Sequence, residues 1–264
     1  MQPIRIDDPA DPRVAPYRDL RDRDLLREGL FIAEGKVVLD VLFEARRFFA
    51  QSVLVLEGRL PGLAATLAKA PADTPVYVAS APVIDAIAGY HLHRGVLAAV
   101  RRRPAGVVAE ILDALPGDAV VPVLCGIANH DNVGSIFRNA AAFGAPAVLL
   151  DAGSCDPLYR KAIRVSVGAA LKVPFAVVDA ASLPGLLAQR GFRALALSPA
   201  GTGTIDAVAG GGRIALFLGT EGDGLPADLM AQMETVRIPM APGFDSLNVA
   251  AASAIALHRL AAVA

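Results

Sequence analysis

The chain has 264 residues, of which 54% are hydrophobic and 19% charged, and its net charge is −1. This length predicts one large domain or two modest ones, and the hydrophobic share excludes a disordered or fibrous protein. Near-neutral charge weighs against a nucleic-acid partner, because phosphate binding usually leaves a basic surplus. The arginines cluster, however, at 18–27, 46–47, 101–103 and 160–164, so local basic patches are expected.

The amino terminus and the cysteines bear on the compartment. The start Met1-Gln2-Pro3 is too polar for a signal peptide, and no apolar run is long enough to cross a bilayer. The two cysteines, Cys125 and Cys155, lack the spacing of metal ligands. We therefore expect a cytoplasmic protein that binds neither a membrane nor a metal.

Short apolar runs alternate with helical patterns between about residues 30 and 100. They predict strands over 30–33, 52–56, 76–79 and 96–100, and helices over 35–46, 60–69 and 82–88. The Arg-, Pro- and Gly-containing stretch 101–106 is typical of a linker, with a short helix over 107–115. The predicted organisation is an N-terminal α/β domain over 1–103, a linker over 104–118 and a second domain over 119–264.

The second domain has longer apolar runs, which predict strands over 121–127, 147–150, 175–178, 194–197 and 214–218. Runs without polar alternation are typical of parallel strands buried on both faces. The intervening segments read mostly as helices, which predicts an α/β fold with a doubly wound, mostly parallel sheet. Such sheets bind ligands in the loops at the carboxyl ends of their strands.

A polar segment over 129–139 follows the first of these strands and opens a helix. On a helical wheel the apolar residues share one face, and Ser135, Arg138 and Asn139 share the other, with Asn132 at the edge of that polar face. A helix N-terminus attracts anions through its free N–H groups, so this face is a candidate binding site. The alternative is a capped helix with a surface arginine.

A glycine-rich turn, Gly219-Thr220-Glu221-Gly222, follows the strand over 214–218. Glycines permit close approach of a backbone to a ligand, but their spacing here fits neither the dinucleotide fingerprint nor the P-loop. The alternative is a plain turn.

A third segment runs from Ile238-Pro239-Met240 to Ser246-Leu247-Asn248 and precedes an alanine-rich helix over 249–257. That helix is apolar nearly all round, so we expect it to be buried. Ser246 and Asn248 are good helix N-caps, which is their alternative role.

Together, in order and spacing, the three segments resemble the signature motifs of the SpoU/TrmH branch of the SPOUT methyltransferases, which methylate the ribose 2′-oxygen of RNA. The stretch 159–169 is similar to the linking helix of that family. Residues 31–35, Phe-Ile-Ala-Glu-Gly, resemble the opening of the small RNA substrate-binding domain, folded like certain ribosomal proteins, that many members carry. Arg94 stands where that domain usually has glutamine.

The resemblance implies a deep trefoil knot in the second domain, an obligate homodimer, S-adenosylmethionine as cofactor, structured RNA as partner and no metal. It implies that the cofactor is bound by Leu218, Gly219, Thr220, Glu221, Gly222, Ile238, Met240, Ser246, Leu247 and Asn248. The catalytic residues that it implies are Arg138, Asn132, Glu221, Ser246 and Asn248. Because a guanidinium stays protonated in proteins, we favour Arg138 as an electrostatic stabiliser, with a neutral guanidine base as the alternative.

The sequence leaves alternatives open for both the RNA substrate and the class of function. A separate N-terminal α/β domain favours 23S ribosomal RNA, whereas transfer RNA is the alternative substrate. A homologue that binds RNA or the ribosome without catalysis is a second alternative. A nucleotide-dependent oxidoreductase is a third, with Gly201-Thr202-Gly203-Thr204 as the nearest approach to a dinucleotide loop.

Overall fold

A computed structural model describes residues 2–18, 22–103, 106–220, 222–243 and 246–261. The chain forms two compact units, Met1–Pro104 with Leu158–Lys172, and Ala105–Pro157 with Val173–Ala264. The chain therefore passes from one unit to the other three times. We call them the first unit and the second unit.

The elements are named in chain order. The strands in the described residues are β1 (Ile4–Arg5), β2 (Leu30–Glu34), β3 (Phe49–Leu56), β4 (Val76–Ala79), β5 (Val96–Arg101), β6 (Ala119–Leu124), β7 (Val148–Asp151), β8 (Phe175–Val178), β9 (Phe192–Leu197), β10 (Gly203–Thr204), β11 (Arg213–Leu218) and β12 (Glu234–Arg237). The α-helices there are α1 (Asp22–Arg27), α2 (Lys36–Ala45), α3 (Leu60–Leu67), α4 (Ala81–Ala88), α5 (Val108–Asp113), α6 (His130–Ala142), α7 (Arg160–Val165), α8 (Ala169–Lys172), α9 (Leu183–Ala188), α10 (Ala227–Met230) and α11 (Val249–Leu260). Short 3-10 helices lie at Pro12–Tyr17, Glu57–Arg59 and Ile205–Ala207.

The first unit is built on a five-stranded mixed sheet with the order β1-β4-β3-β5-β2. Strand β5 runs antiparallel to both of its neighbours, and the other pairs are parallel. The buried hydroxyl of Tyr17 hydrogen-bonds Ser52 Oγ at 2.7 Å and accepts from the amide of Ala99 at 3.2 Å. All four strands predicted from the sequence are present, whereas β1 and the 3-10 helix that follows it, Pro12–Tyr17, were not predicted.

The second unit is built on a seven-stranded sheet, in which every pair is parallel, with the order β10-β12-β9-β11-β6-β7-β8. The predicted parallel α/β fold is thus confirmed. Strand β6 ends at Leu124 and not at Ile127 as predicted, because Gly126 adopts a positive φ of 69° and turns the chain out of the sheet. Strands β10 and β12 were not predicted.

Two predicted helices need correction. The stretch 159–169, predicted as one helix, breaks into α7 and α8, because Val167 and Gly168 both have positive φ, 54° and 84°. The terminal helix α11 is not buried all round, since Ala251 and Ile255 are exposed and Ile255 is 43% accessible. Small side chains on every face allow burial but do not require it.

Across the described ranges, every helix is too short or too polar to traverse a bilayer.

Candidate active site

A cleft of about 330 Å³ lies at the carboxyl edge of the sheet in the second unit. It is formed where three adjacent strands, β12, β9 and β11, end side by side. The residues that line it are Leu197, Ser198, Pro199, Leu218, Gly219, Thr220, Gly222, Gly224, Leu225, Ile238, Met240, Ser246, Leu247, Val249 and Ala252. Parallel sheets present ligand-binding loops at this edge, and the volume is within the range of small-molecule sites.

The glycine-rich turn forms one wall of the cleft and is held by its own hydrogen bonds. The amide of Gly224 donates to Thr220 Oγ1 at 3.1 Å, which closes the turn across four residues. A Cβ at Gly219 would lie 2.4 Å from the carbonyl carbon of Gly224 and 2.5 Å from the nitrogen of Leu225. Gly219 is therefore required because the two arms of the turn touch there, backbone to backbone.

Most of the predicted cofactor-binding residues lie together in this cleft. Those that line it are Leu218, Gly219, Thr220, Gly222, Ile238, Met240, Ser246 and Leu247. Glu221, predicted in both the cofactor-binding and the catalytic sets, lies outside the described residues. Three lining residues at the end of β9, namely Leu197, Ser198 and Pro199, were not predicted, although the rule that places ligands at strand ends points to them.

Asn248 and Asn132 are absent from the described cleft lining and instead join two helices of the second unit. Asn248 Nδ2 donates to Asn132 Oδ1 at 3.0 Å. The side-chain oxygen of Asn248 also caps α11, accepting from the amides of Ala250 and Ala251 at 2.9 and 3.3 Å. Asn248 thus has the helix-cap role that the sequence offered as its alternative, together with a hydrogen bond to the first motif that was not predicted.

Asn139 makes a second link between the same helices. Its Nδ2 donates to the carbonyl oxygen of Ala250 at 2.8 Å and to Ser253 Oγ at 2.9 Å. The apolar face of α6 packs into the core through Val133, Ile136 and Phe137, which are fully buried. Helix α6 is therefore fixed on both sides of its axis.

Arg138 lies on the exposed face of α6. The described part of the chain contains no hydrogen bond or ion pair to its guanidinium, and Arg138 is absent from the cleft lining. The positive charge of Arg138 is therefore presented to solvent.

Two reactive side chains near the sheet edge, Cys125 and Asp151, have surroundings that indicate structural roles. Burial raises the pKa of the Cys125 thiol to about 12, with a further contribution from the charge of Asp151, so the thiol stays neutral. Asp151 accepts hydrogen bonds from the amide of Gly126 and from Ser154 Oγ. Within the described ranges no group of histidine, cysteine and carboxylate side chains is arranged to hold a metal ion.

The segment offered as a dinucleotide loop is wrong for that role. Gly203 and Thr204 form strand β10, paired with β12. A Cβ at Gly201 would lie 2.3 Å from the carbonyl carbon of Val236, so that glycine packs against a neighbouring strand. The segment 201–204 therefore contains no open glycine loop that could bind a pyrophosphate.

The chain is similar in sequence to proteins of one known family. The model of the SpoU rRNA methylase family matches residues 119–258. A protein of Mycobacterium bovis described as an uncharacterized tRNA/rRNA methyltransferase is 44% identical over 265 residues, which cover 95% of this chain and 89% of that protein.

Solved structures are similar over nearly the whole chain. An AdoMet-bound rRNA methyltransferase from Sinorhizobium meliloti is 24% identical and covers 98% of each chain with a TM-score of 0.82. A structure described as an RNA 2′-O ribose methyltransferase is 25% identical, with a TM-score of 0.80 over 97% of this chain and 98% of that one. The fold is therefore shared in both units.

Proposed function

Because the chain belongs to the SpoU rRNA methylase family, we propose that it transfers a methyl group from S-adenosylmethionine to a ribose 2′-hydroxyl of RNA. The observation that carries this proposal is the cleft at the ends of β9, β11 and β12, where two separate motifs of the sequence meet. A non-catalytic homologue would have no need of such a cleft.

The cleft fits an adenosine-sized ligand. Its lining combines apolar side chains, such as Leu218, Ile238 and Leu247, with backbone of the glycine-rich turn and the hydroxyls of Ser198 and Ser246. Apolar walls with a few fixed polar groups are typical of small-molecule sites. Leu218, Gly219, Ile238 and Leu247 would hold the adenine and ribose, and the remaining lining residues would hold the amino-acid portion of the cofactor.

The bound cofactor supplies an electrophilic methyl group on a sulfonium. The residues of the chain have to orient the ribose hydroxyl and stabilise the charge that develops on its oxygen. Arg138 has an exposed guanidinium that is free to contact both a phosphate and the developing alkoxide. Asn132, Ser246 and Asn248 position these groups by hydrogen bonds, and Glu221 orients Arg138 or holds the ribose.

The remaining features are proposed from the family resemblance. The second unit contains a trefoil knot formed around α11, and the protein is a homodimer with each site completed near the interface. The exposed Ile255 on α11 is an apolar side chain that such an interface would cover. The substrate is 23S ribosomal RNA, and the first unit binds it; transfer RNA is the alternative.

The test is methyl transfer by the purified full chain from radiolabelled S-adenosylmethionine to 23S ribosomal RNA and, separately, to total transfer RNA. We expect label in ribosomal RNA at a nucleotide whose 3′ phosphodiester resists alkaline hydrolysis, the signature of a blocked 2′-oxygen. Label on a base would refute the ribose assignment. Absence of S-adenosylmethionine binding in calorimetry, together with absence of transfer to either RNA, would favour the non-catalytic homologue.

A further inference from the structure

The first unit carries a surface that combines exposed arginines with an exposed aromatic ring. It lies where β3 begins and β5 ends, and we call it the Phe49 surface. Its members are Arg46, Arg47, Phe49, Gln51, Arg101 and Arg103. None of these residues belongs to the cleft described above, and none is part of the three family motifs.

Phe49 is 51% exposed although it is a large apolar side chain in a strand. The guanidinium carbon of Arg103 lies 4.7 Å from the centroid of its ring. Its neighbour Phe48 is buried and packs edge-on against Phe31, with ring centroids 5.3 Å apart. The backbone is therefore anchored by Phe48, while the ring of Phe49 is held out in solvent with one cation beside it.

The local backbone brings the charges together. Arg46 ends α2 with a left-handed φ of 53°, which turns the chain directly into β3. Arg101 pairs with Phe49 across the strands, and a bulge between Ala50 and Ser52 keeps Gln51 close to it. With its amide oriented to satisfy both groups, Gln51 accepts from Nε and Nη2 of Arg101 at 3.0 and 2.7 Å.

Three arginines of this surface have no acidic partner among the described residues. In the described ranges Arg46, Arg101 and Arg103 form no ion pair, whereas Glu44, which precedes Arg46 in the chain, is bound to Lys69 at 2.6 Å. Burial lowers the pKa of Arg47, and the nearby charge of Arg103 lowers it further. In a chain with a net charge of −1, the clustered charges of Arg46, Arg101 and Arg103, which form no ion pair with the described residues, are suited to an anionic partner.

A recess of about 780 Å³ adjoins the ring. Its walls include Phe48, Phe49 and Pro71, and Arg46 and Lys69 also line it. An aromatic face next to a recess, with guanidinium groups around it, matches the requirements of an unpaired nucleotide, whose base stacks and whose phosphates pair with arginine. A duplex hides its base faces, so it would not use the ring.

We propose that the Phe49 surface binds an unpaired, single-stranded segment of the RNA substrate, with a base stacked on Phe49 and the flanking phosphates held by Arg46, Arg101 and Arg103. This rests on the proposed function, in that it assumes an RNA substrate. It assigns to the first unit a preference for single strands over duplexes.

The experiment measures fluorescence anisotropy of the full chain with a labelled oligouridylate of about 12 nucleotides and with an RNA duplex of the same length. We expect Phe49→Leu, which keeps the apolar bulk but lacks the π-face, to bind the single strand at least about tenfold more weakly. Phe49→Tyr, which keeps the ring, should bind within about twofold of the wild type. Duplex affinity should be the same in all three proteins.

Charge is tested separately. Arg103→Gln should reduce the slope of log Kd against log salt for the single strand by about 0.7. The matched control is Arg193→Gln, which removes an equal charge from an exposed arginine of the second unit that is paired with Glu234 at 2.8 Å. This control should leave the slope unchanged.

Equal single-strand affinities of Phe49→Leu and wild type would refute the proposal that the Phe49 surface binds RNA. Equal slopes of log Kd against log salt for Arg103→Gln and wild type would refute it as well. Methyl transfer is measured in parallel, where Phe49→Leu should raise the KM for RNA and leave kcat unchanged. Absence of methyl transfer by the wild type would refute the proposed function and would leave the anisotropy result to decide the surface by itself.

Discussion

Substitution of Gly219 by alanine tests whether the cleft depends on contact within the glycine-rich turn. The added Cβ would lie 2.4, 2.5 and 2.7 Å from three backbone atoms of Gly224 and Leu225, distances that side chains essentially never show. Because those atoms belong to the backbone, rotation of a side chain cannot relieve the overlap. The turn must open, and it forms one wall of the cleft.

The expected loss of S-adenosylmethionine affinity in Gly219→Ala equals the free energy needed to restore the closed turn. Overpacking by one methyl group costs about 1–3 kcal/mol. If the ligand requires the closed turn, this cost is subtracted from the binding free energy, which gives roughly 5- to 150-fold weaker binding of S-adenosylmethionine. The loss should therefore be measurable without loss of the fold.

The assay is isothermal titration calorimetry with S-adenosylmethionine, accompanied by thermal unfolding. Gly210→Ala is the matched control, since it adds the same methyl group to a loop glycine that has no atom within 4 Å of the new Cβ and lies outside the cleft lining. An affinity of Gly219→Ala equal to that of Gly210→Ala would refute the reasoning, because it would mean that the turn does not shape the binding site.

Three further changes probe other parts of the site. Arg138→Ala should abolish methyl transfer while cofactor affinity stays within about tenfold of the wild type, because Arg138 is exposed and absent from the described cleft lining; retained turnover would contradict its role. Asn248→Ala should lower the free energy of unfolding by about 0.5–2 kcal/mol, because it removes the cap of α11. Asn248→Asp keeps the cap but loses the donor to Asn132, so it should lower kcat with less effect on Tm. Equal kcat for Asn248→Asp and wild type would contradict a positioning role. Burial raises the pKa of the Cys125 thiol to about 12, so at pH 8 roughly one thiol in ten thousand is ionised in the native protein. Cys125 should therefore resist iodoacetamide in the native protein and react on unfolding. Rapid labelling of Cys125 in the native protein, located by mass spectrometry, would show that it is not buried.

The strands that the sequence predicted are those whose signal is local. Strand β8 has the predicted bounds 175–178, because its four residues form an uninterrupted apolar run after a proline. Strand β12 was missed, since Glu234, Thr235 and Arg237 give it a polar composition. It is a strand because its backbone pairs with β9 and β10, which are distant in sequence, and no local pattern encodes that pairing.

The candidate site also combines residues that a local motif predicts with residues that only the tertiary structure brings in. The glycine-rich turn and the segment around Ser246 were recognisable as motifs, and both line the cleft. The requirement for Gly219 was attributed to approach of a ligand, but the structure shows contact within the turn. Ser198 and Pro199 carry no motif and take part only because β9 lies between β11 and β12, which is a property of strand order.

Because residues 158–172 belong to the first unit, a gene fragment that encodes only the N-terminal part of the chain does not encode the whole first unit. Helices α7 and α8 supply Ile163 and Leu171 to the interior there, and a Cβ at Gly168 would lie 3.0 Å from Cβ of Val41 on α2. A fragment ending near residue 104 would leave part of its own interior behind in the remainder of the coding sequence. Recombination that exchanges only the N-terminal portion between relatives would therefore have to preserve a match with a segment encoded far downstream, so the two halves are constrained to diverge together.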